Sequence, residues 1–187
     1  MPQPTTSPLL GILRERTRPL HDQLDSAPLS RRLFEPGLTR PEYQRLVSGQ
    51  AVAHAATEVG LAAFAWPGPY RYHSRAEVLA EVVGPSSSSG HGVAPLSPPE
   101  DLAAAVGRAY VLEGASLGGA RILKRLRATP ALSGESFPFY THQRDYGLRQ
   151  WRSFVAFVGE RDWDEAGEEQ AVAAARRVFT IFGAALA

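Results

Sequence analysis

The chain has 187 residues, 44% hydrophobic and 21% charged, the profile of a single folded domain and not of a disordered segment. Its 20 Lys and Arg against 19 Asp and Glu leave a net charge of +1, so no overall field favours nucleic acid or an anionic membrane. The absence of cysteine excludes disulfides, thiolate metal sites and cysteine nucleophiles, and makes one of the five histidines the expected ligand of any metal.

The opening stretch MPQPTTSPLLGILRERTR has no basic leader followed by a long apolar run, and Glu58 interrupts the most apolar later region. A soluble, cytoplasmic protein is expected, with residues 1–7 disordered. A first helix is predicted from Pro8 to Ala27, where Leu10, Leu13, Thr17, Leu20 and Leu24 recur at the spacing of one buried stripe, with His21 at its edge. Pro19 costs roughly 3 kcal/mol in an unbroken helix, which predicts a kink or a restart just before His21. A second helix from Arg40 to about Phe64 carries Tyr43, Val47, Gln50, His54, Glu58 and Leu61 on one mixed face.

Capping-box spacings at Thr39/Glu42, Ser74/Glu77, Ser97/Glu100 and Asp162/Glu165 mark helix starts. Residues 84–98, with SSSSGHG and several prolines, read as a flexible loop between two halves of one bundle. Further helices are predicted over Pro99 to Thr129, Tyr140 to Gly159 and Asp164 to the C-terminus. No alternating apolar run of strand length occurs, so the expected fold is an all-α helical bundle forming one domain over residues 1–187.

The third of these long helices has an unusual centre, EGASLGG. Each glycine inside a helix costs on the order of 1 kcal/mol relative to alanine. Gly114 and Gly118 share a face, so the backbone is bare there and the helix can bend, either to admit a flat ligand or to let a neighbouring helix approach. Gly114 to Gly118 also spell GxSxG, the nucleophile elbow of serine hydrolases, but that motif needs a strand before the serine and here the helical run DLAAAVGRAYVLE precedes it.

Two segments, LRERTRPLHDQLD (Leu13 to Asp25) and YVLEGASLGGARIL (Tyr110 to Leu123), resemble the bacterial biliverdin-producing heme oxygenases, of the kind associated with bacterial phytochromes. TRPEYQRLV and LRQWRSFVAFV support the likeness, which extends to about Gly159. The resemblance implies a helical bundle holding heme, as substrate and cofactor, between a proximal helix and a glycine-kinked distal helix. It makes His21 the iron ligand and Gly114, Gly118 and Gly119 the distal glycines. A neutral imidazole held on a helix suits heme iron, and Asp25, one turn beyond, is placed to orient it.

The same resemblance makes Arg14, Arg18, Tyr110, Arg149 and Arg152 partners of the heme propionates. Many relatives carry an aspartate after the first distal glycine, where it organises the water that delivers a proton; Ala115 stands there in this chain, and Ser116 or His54 is the substitute to consider. The implied activity is oxidative cleavage of heme at a meso carbon to biliverdin, ferrous iron and carbon monoxide. It draws on oxygen and on electrons from a donor such as a ferredoxin or a reductase, with a bacterial phytochrome as a recipient of biliverdin. The alternative is a non-catalytic heme carrier or sensor using the same residues.

Overall fold

The computed structural model describes residues 7–83 and 93–187, so the expectation for the N-terminus, Ser7 apart, and most of the 84–98 loop lie outside the described residues. Eight α-helices and no strand are present among them. The order is α1 (Pro8–Ser26), α2 (Pro28–Arg32), α3 (Arg40–Thr57), α4 (Ala76–Val83), α5 (Leu102–Ala115), α6 (Gly119–Arg127), α7 (Pro138–Gly159) and α8 (Glu165–Ala185). A 3-10 turn at Ser116–Gly118 joins α5 to α6, and another at Pro130–Leu132 precedes α7.

Proline at the first position starts α1, where the missing N–H costs nothing. Leu9, Leu10, Leu13 and Thr17 then turn inward, as the spacing predicts. The helix runs through Pro19 without the predicted restart. Both Pro19 and Glu15, whose carbonyl loses its usual donor, are exposed, so water can serve that carbonyl.

The Thr39/Glu42 capping box forms as expected, and the Ser74 hydroxyl accepts from the Glu77 amide at 3.4 Å. The other two predicted boxes are displaced. α5 is capped by Asp101, which accepts from the Ala104 amide at 2.8 Å, and α8 by Asp164, which accepts from the Gly167 amide at 2.8 Å. α3 also ends earlier than predicted, at Thr57 and not Phe64, because Gly60 turns the chain with φ +76°.

α1, α5 and α8 form the frame that positions the site. Gly107 lies so close to the backbone of Ala171 that any side chain there would collide with it, and a Cβ on Gly167 would meet Ala103 at 3.9 Å. These paired positions make α5 and α8 run the same way. α1 runs along α8 in that direction too, with Arg16 paired to Glu169 and the His21 ring 6.0 Å from that of Phe179. Leu13, Val106, Leu112, Phe154, Val178 and Phe182 fill the space between these helices and α7. A second cluster, including Leu38, Leu46, Leu123, Leu126 and Phe139, packs α3, α6 and α7 at the other end. The described end of the stretch expected to be flexible, residues 93–98, is tied down: the Leu96 amide donates to the Ala56 carbonyl at 2.9 Å and Arg108 donates to the Ser97 carbonyl at 2.7 Å.

Candidate heme site

The three glycines of the kinked segment have different surroundings. A Cβ on Gly119 would overlap the Gln143 side chain of α7, so this glycine serves close helix packing. On Gly114 it would meet only Trp151, at 3.7 Å, and on Gly118 only Ile122, at 3.6 Å, both ordinary contacts. Gly118 is exposed and Gly114 half-buried. Close packing therefore accounts for Gly119, whereas Gly114 touches α7 only through the Trp151 ring and Gly118 is met by no other helix among the described residues. The bend expected at this point is the 3-10 turn itself, closed by the Gly119 amide donating to the Ser116 carbonyl.

Tyr110, half-buried on α5, faces α1. Burial raises its phenol above the ordinary tyrosine range, opposed by hydrogen bonding from Thr17 and by the charge of Arg14. Since α1 and α5 run parallel, His21 and Gly114 each lie one turn, about 6 Å, beyond this contact. The His21 side chain is 59% exposed and its Nδ1 lies 3.4 Å from Asp25 Oδ2, so Asp25 stands beside one ring nitrogen while the imidazole stays accessible to a ligand. Arg18, also exposed, is 3.8 Å from Asp22. Arg149 and Arg152 project from the exposed side of α7, the former with its guanidinium 5.1 Å from the Tyr146 ring centroid.

Behind the turn is a buried polar network. Glu113, fully buried, accepts from the Tyr70 phenol at 2.7 Å and is ion-paired with Arg75, itself 2% exposed. Burial and the neighbouring Glu113 carboxylate push the Tyr70 phenol far above its ordinary range. Burial lowers the Arg75 pKa, but Tyr72 and Glu113 outweigh it and raise the value overall. Arg75 Nε donates to Ser116 Oγ at 3.1 Å. Ser116 is thus buried, follows a helix and faces inward, which removes the hydrolase reading.

His54 is fully buried between the rings of Phe139 and Phe182, and its Nδ1 is 2.7 Å from Glu58 Oε1. Its Nε2 is buried without a hydrogen-bond partner among the described residues. Glu58 also accepts from Ser74 Oγ at 2.7 Å and from the Arg75 and Ala76 amides. Burial alone would raise its pKa, but these partners, His54 foremost, lower it to about 2.

Sequence reasoning did not single out Tyr70, Arg75, Glu113, Gln143, Gly147 or Trp151. Two of them had a visible signal. Glu113 is the one carboxylate in the otherwise largely apolar run Leu102–Ala115, and Gly147 is a glycine inside a helix, where only a close neighbour repays the cost.

No group of three or more His, Asp or Glu side chains suited to a metal ion occurs among the described residues. A lone accessible imidazole fits a metal whose other ligands come from a macrocycle, and the uncovered backbone at Gly114 and Gly118 fits a flat one. No described helix is long and apolar enough to cross a membrane.

No curated protein matches the chain. Among solved structures it is similar to heme oxygenase from Neisseria meningitidis, determined with NO and CO bound, at 19% identity and a TM-score of 0.66, over 97% of this chain and 90% of that one. It is also similar to heme oxygenase from Leptospira interrogans, at 15% identity and a TM-score of 0.64, over 95% of this chain and 98% of that one. At such identities these likenesses establish the fold. The sequence profile of the family described as heme oxygenase matches residues 92–187, just over half of the chain, spanning α5 to α8 with the kinked segment but not α1. On that match the chain belongs to the heme oxygenase family.

Proposed function

We propose that this protein cleaves heme at a meso carbon, releasing biliverdin, ferrous iron and carbon monoxide with oxygen and electrons supplied from outside. The observation that carries this reading is the uncovered backbone at Gly114 and Gly118, one and two turns past the Tyr110 contact with α1, alongside the accessible imidazole of His21. When bound, heme supplies the oxygen-activating iron and is also the substrate.

The chain's own residues have three tasks in this reading. His21 would hold the iron through its imidazole, with Asp25 beside Nδ1 placed to orient the ring. In this reading Arg14, Arg18, Arg149, Arg152 and Tyr110 would supply the donors for carboxylates that suit the propionates. The backbone at Gly114 and Gly118, carrying no side chain, would let the chain lie almost against a flat ring.

Gly119 supports that surface by packing and does not face the ring. The Ser116 hydroxyl accepts from Arg75, and His54 is linked to the same segment through Glu58, which accepts from the Arg75 amide, so both candidates for proton handling adjoin the turn through Arg75. Electron supply by a ferredoxin or reductase, a cytoplasmic location and delivery of biliverdin to a bacterial phytochrome are parts of this proposal that rest on the sequence resemblance.

Heme titration followed by addition of reductant and oxygen tests it. Saturable uptake with an imidazole-ligated spectrum, then growth of bile-pigment absorbance, is the expected course. A colourless protein that takes up no heme overturns the proposal, and stable heme binding without pigment identifies a carrier.

A further inference from the structure

Burying a guanidinium is costly unless its N–H groups are taken up, and Arg75, 2% exposed, is held from several sides. One terminal nitrogen pairs with Glu113, the other donates to the His73 carbonyl at 3.2 Å, and Nε donates to Ser116 Oγ at 3.1 Å. The Tyr72 ring lies beside the guanidinium, 5.1 Å from centroid to Cζ. Glu113 is fixed in turn by Tyr70, 43 residues away in sequence.

Of these partners, Ser116 alone lies where the α-helical pattern breaks. A serine hydroxyl in a helix ordinarily bonds back to the carbonyl four residues earlier. Here that contact, to Leu112, is 3.4 Å, longer than the bond from Arg75. On its other side Ser116 abuts Gly147, whose missing Cβ would lie 2.8 Å from the serine Cβ. The turn is therefore pressed by α7 and tethered by one arginine that belongs to the segment leading into α4.

We propose that Arg75, fixed by Glu113 and Tyr70, is a positioning residue that sets the height of the Ser116–Gly118 turn above the ligand cleft. The tether is a property of the ligand-free chain. Its effect on where heme is attacked rests on the function proposed above.

The Gly119 amide, which closes the turn on the Ser116 carbonyl, is the natural reporter. In heme-free protein, Ser116→Ala and Arg75→Lys should each speed its hydrogen exchange by about tenfold, the loss expected for one hydrogen bond to a charged donor. α8 amides should keep the parental rate. Combining the two substitutions should add nothing further, because both delete the same bond. Tyr70→Phe should give a smaller rise, since the ion pair survives it. If Arg75→Lys does not fold, Ser116→Ala alone carries the test.

Parental exchange at Gly119 in Ser116→Ala, or additive effects in the double variant, overturns the tether. In heme-loaded protein under reductive turnover, Ser116→Ala should broaden the ratio of biliverdin isomers. An unchanged ratio overturns the positioning role even if exchange quickens. Failure of the parent to bind heme sinks the function proposed above but leaves the exchange result standing, so the two ideas fail separately.

Discussion

Ser116 and Gly147 are packed so closely that a methyl group on Gly147 would lie 2.8 Å from the serine Cβ and 2.9 Å from its carbonyl oxygen. Neither neighbour is the free end of a flexible chain, so the turn or α7 would have to shift. Gly147→Ala should therefore destabilise the protein by about 1–3 kcal/mol. Gly118→Ala, which meets only Ile122 at 3.6 Å, should be neutral or stabilising by up to about 1 kcal/mol. Urea unfolding of the two variants beside the parent checks the contrast.

Bulk at Gly118 tests function rather than folding. Gly118→Phe should fold, retain part of its heme affinity and lose most of its biliverdin formation, because the side chain would stand where the ring needs bare backbone. Parental pigment formation in this variant would remove steric steering from the account. The same substitution at Gly119 should fail earlier, at folding, because Gln143 already fills that space.

His21→Ala should abolish the imidazole-ligated heme spectrum, and added imidazole should restore it. Asp25→Asn, which keeps the side chain's shape but removes the charge 3.4 Å from Nδ1, should preserve ligation while weakening it. Absorption spectra of the two variants, with and without imidazole, are sufficient. A parental spectrum in His21→Ala would assign the iron to a different histidine.

Glu58 gives the fold a dependence on acid. Its folded pKa of about 2 lies below the unbound carboxylate value of 4.5, so the ionised form stabilises the protein above pH 4.5. That contribution, on the order of 3 kcal/mol, is lost as the pH falls from about 4.5 towards 2. Glu58→Gln should be less stable at neutral pH and should flatten the stability curve across this acid range. Denaturation midpoints measured at several pH values check the slope.

The helices were legible because their signals are local. The stripe from Leu10 to Thr17, the Thr39/Glu42 box and the bend at EGASLGG all depend on neighbours within about a turn. The displaced caps have the same origin: Ser97 and Asp162 have the right spacing to a glutamate, yet Asp101 and Asp164 stand immediately before the first helical residue and take the free amides. The three glycines of EGASLGG stood out in the sequence but could not be sorted, since what separates Gly119 from Gly118 is Gln143 on another helix. Arg75 was invisible for a similar reason. It lies between periodic segments, and its partners Glu113 and Ser116 are 38 and 41 residues away.

Pro19 brings no amide to the rung that would ordinarily reach back to Glu15, and the short helix after α1, Pro28–Arg32, buries none of its residues. The stretch that carries His21 is therefore fastened less firmly to the bundle than the first turns of α1, which are sealed by Leu9 and Leu13. A protein whose guest is consumed must also let the remains depart. On the function proposed above, departure is expected on the α1 side that carries His21, the less firmly held of the two, and not past the turn braced by Arg75.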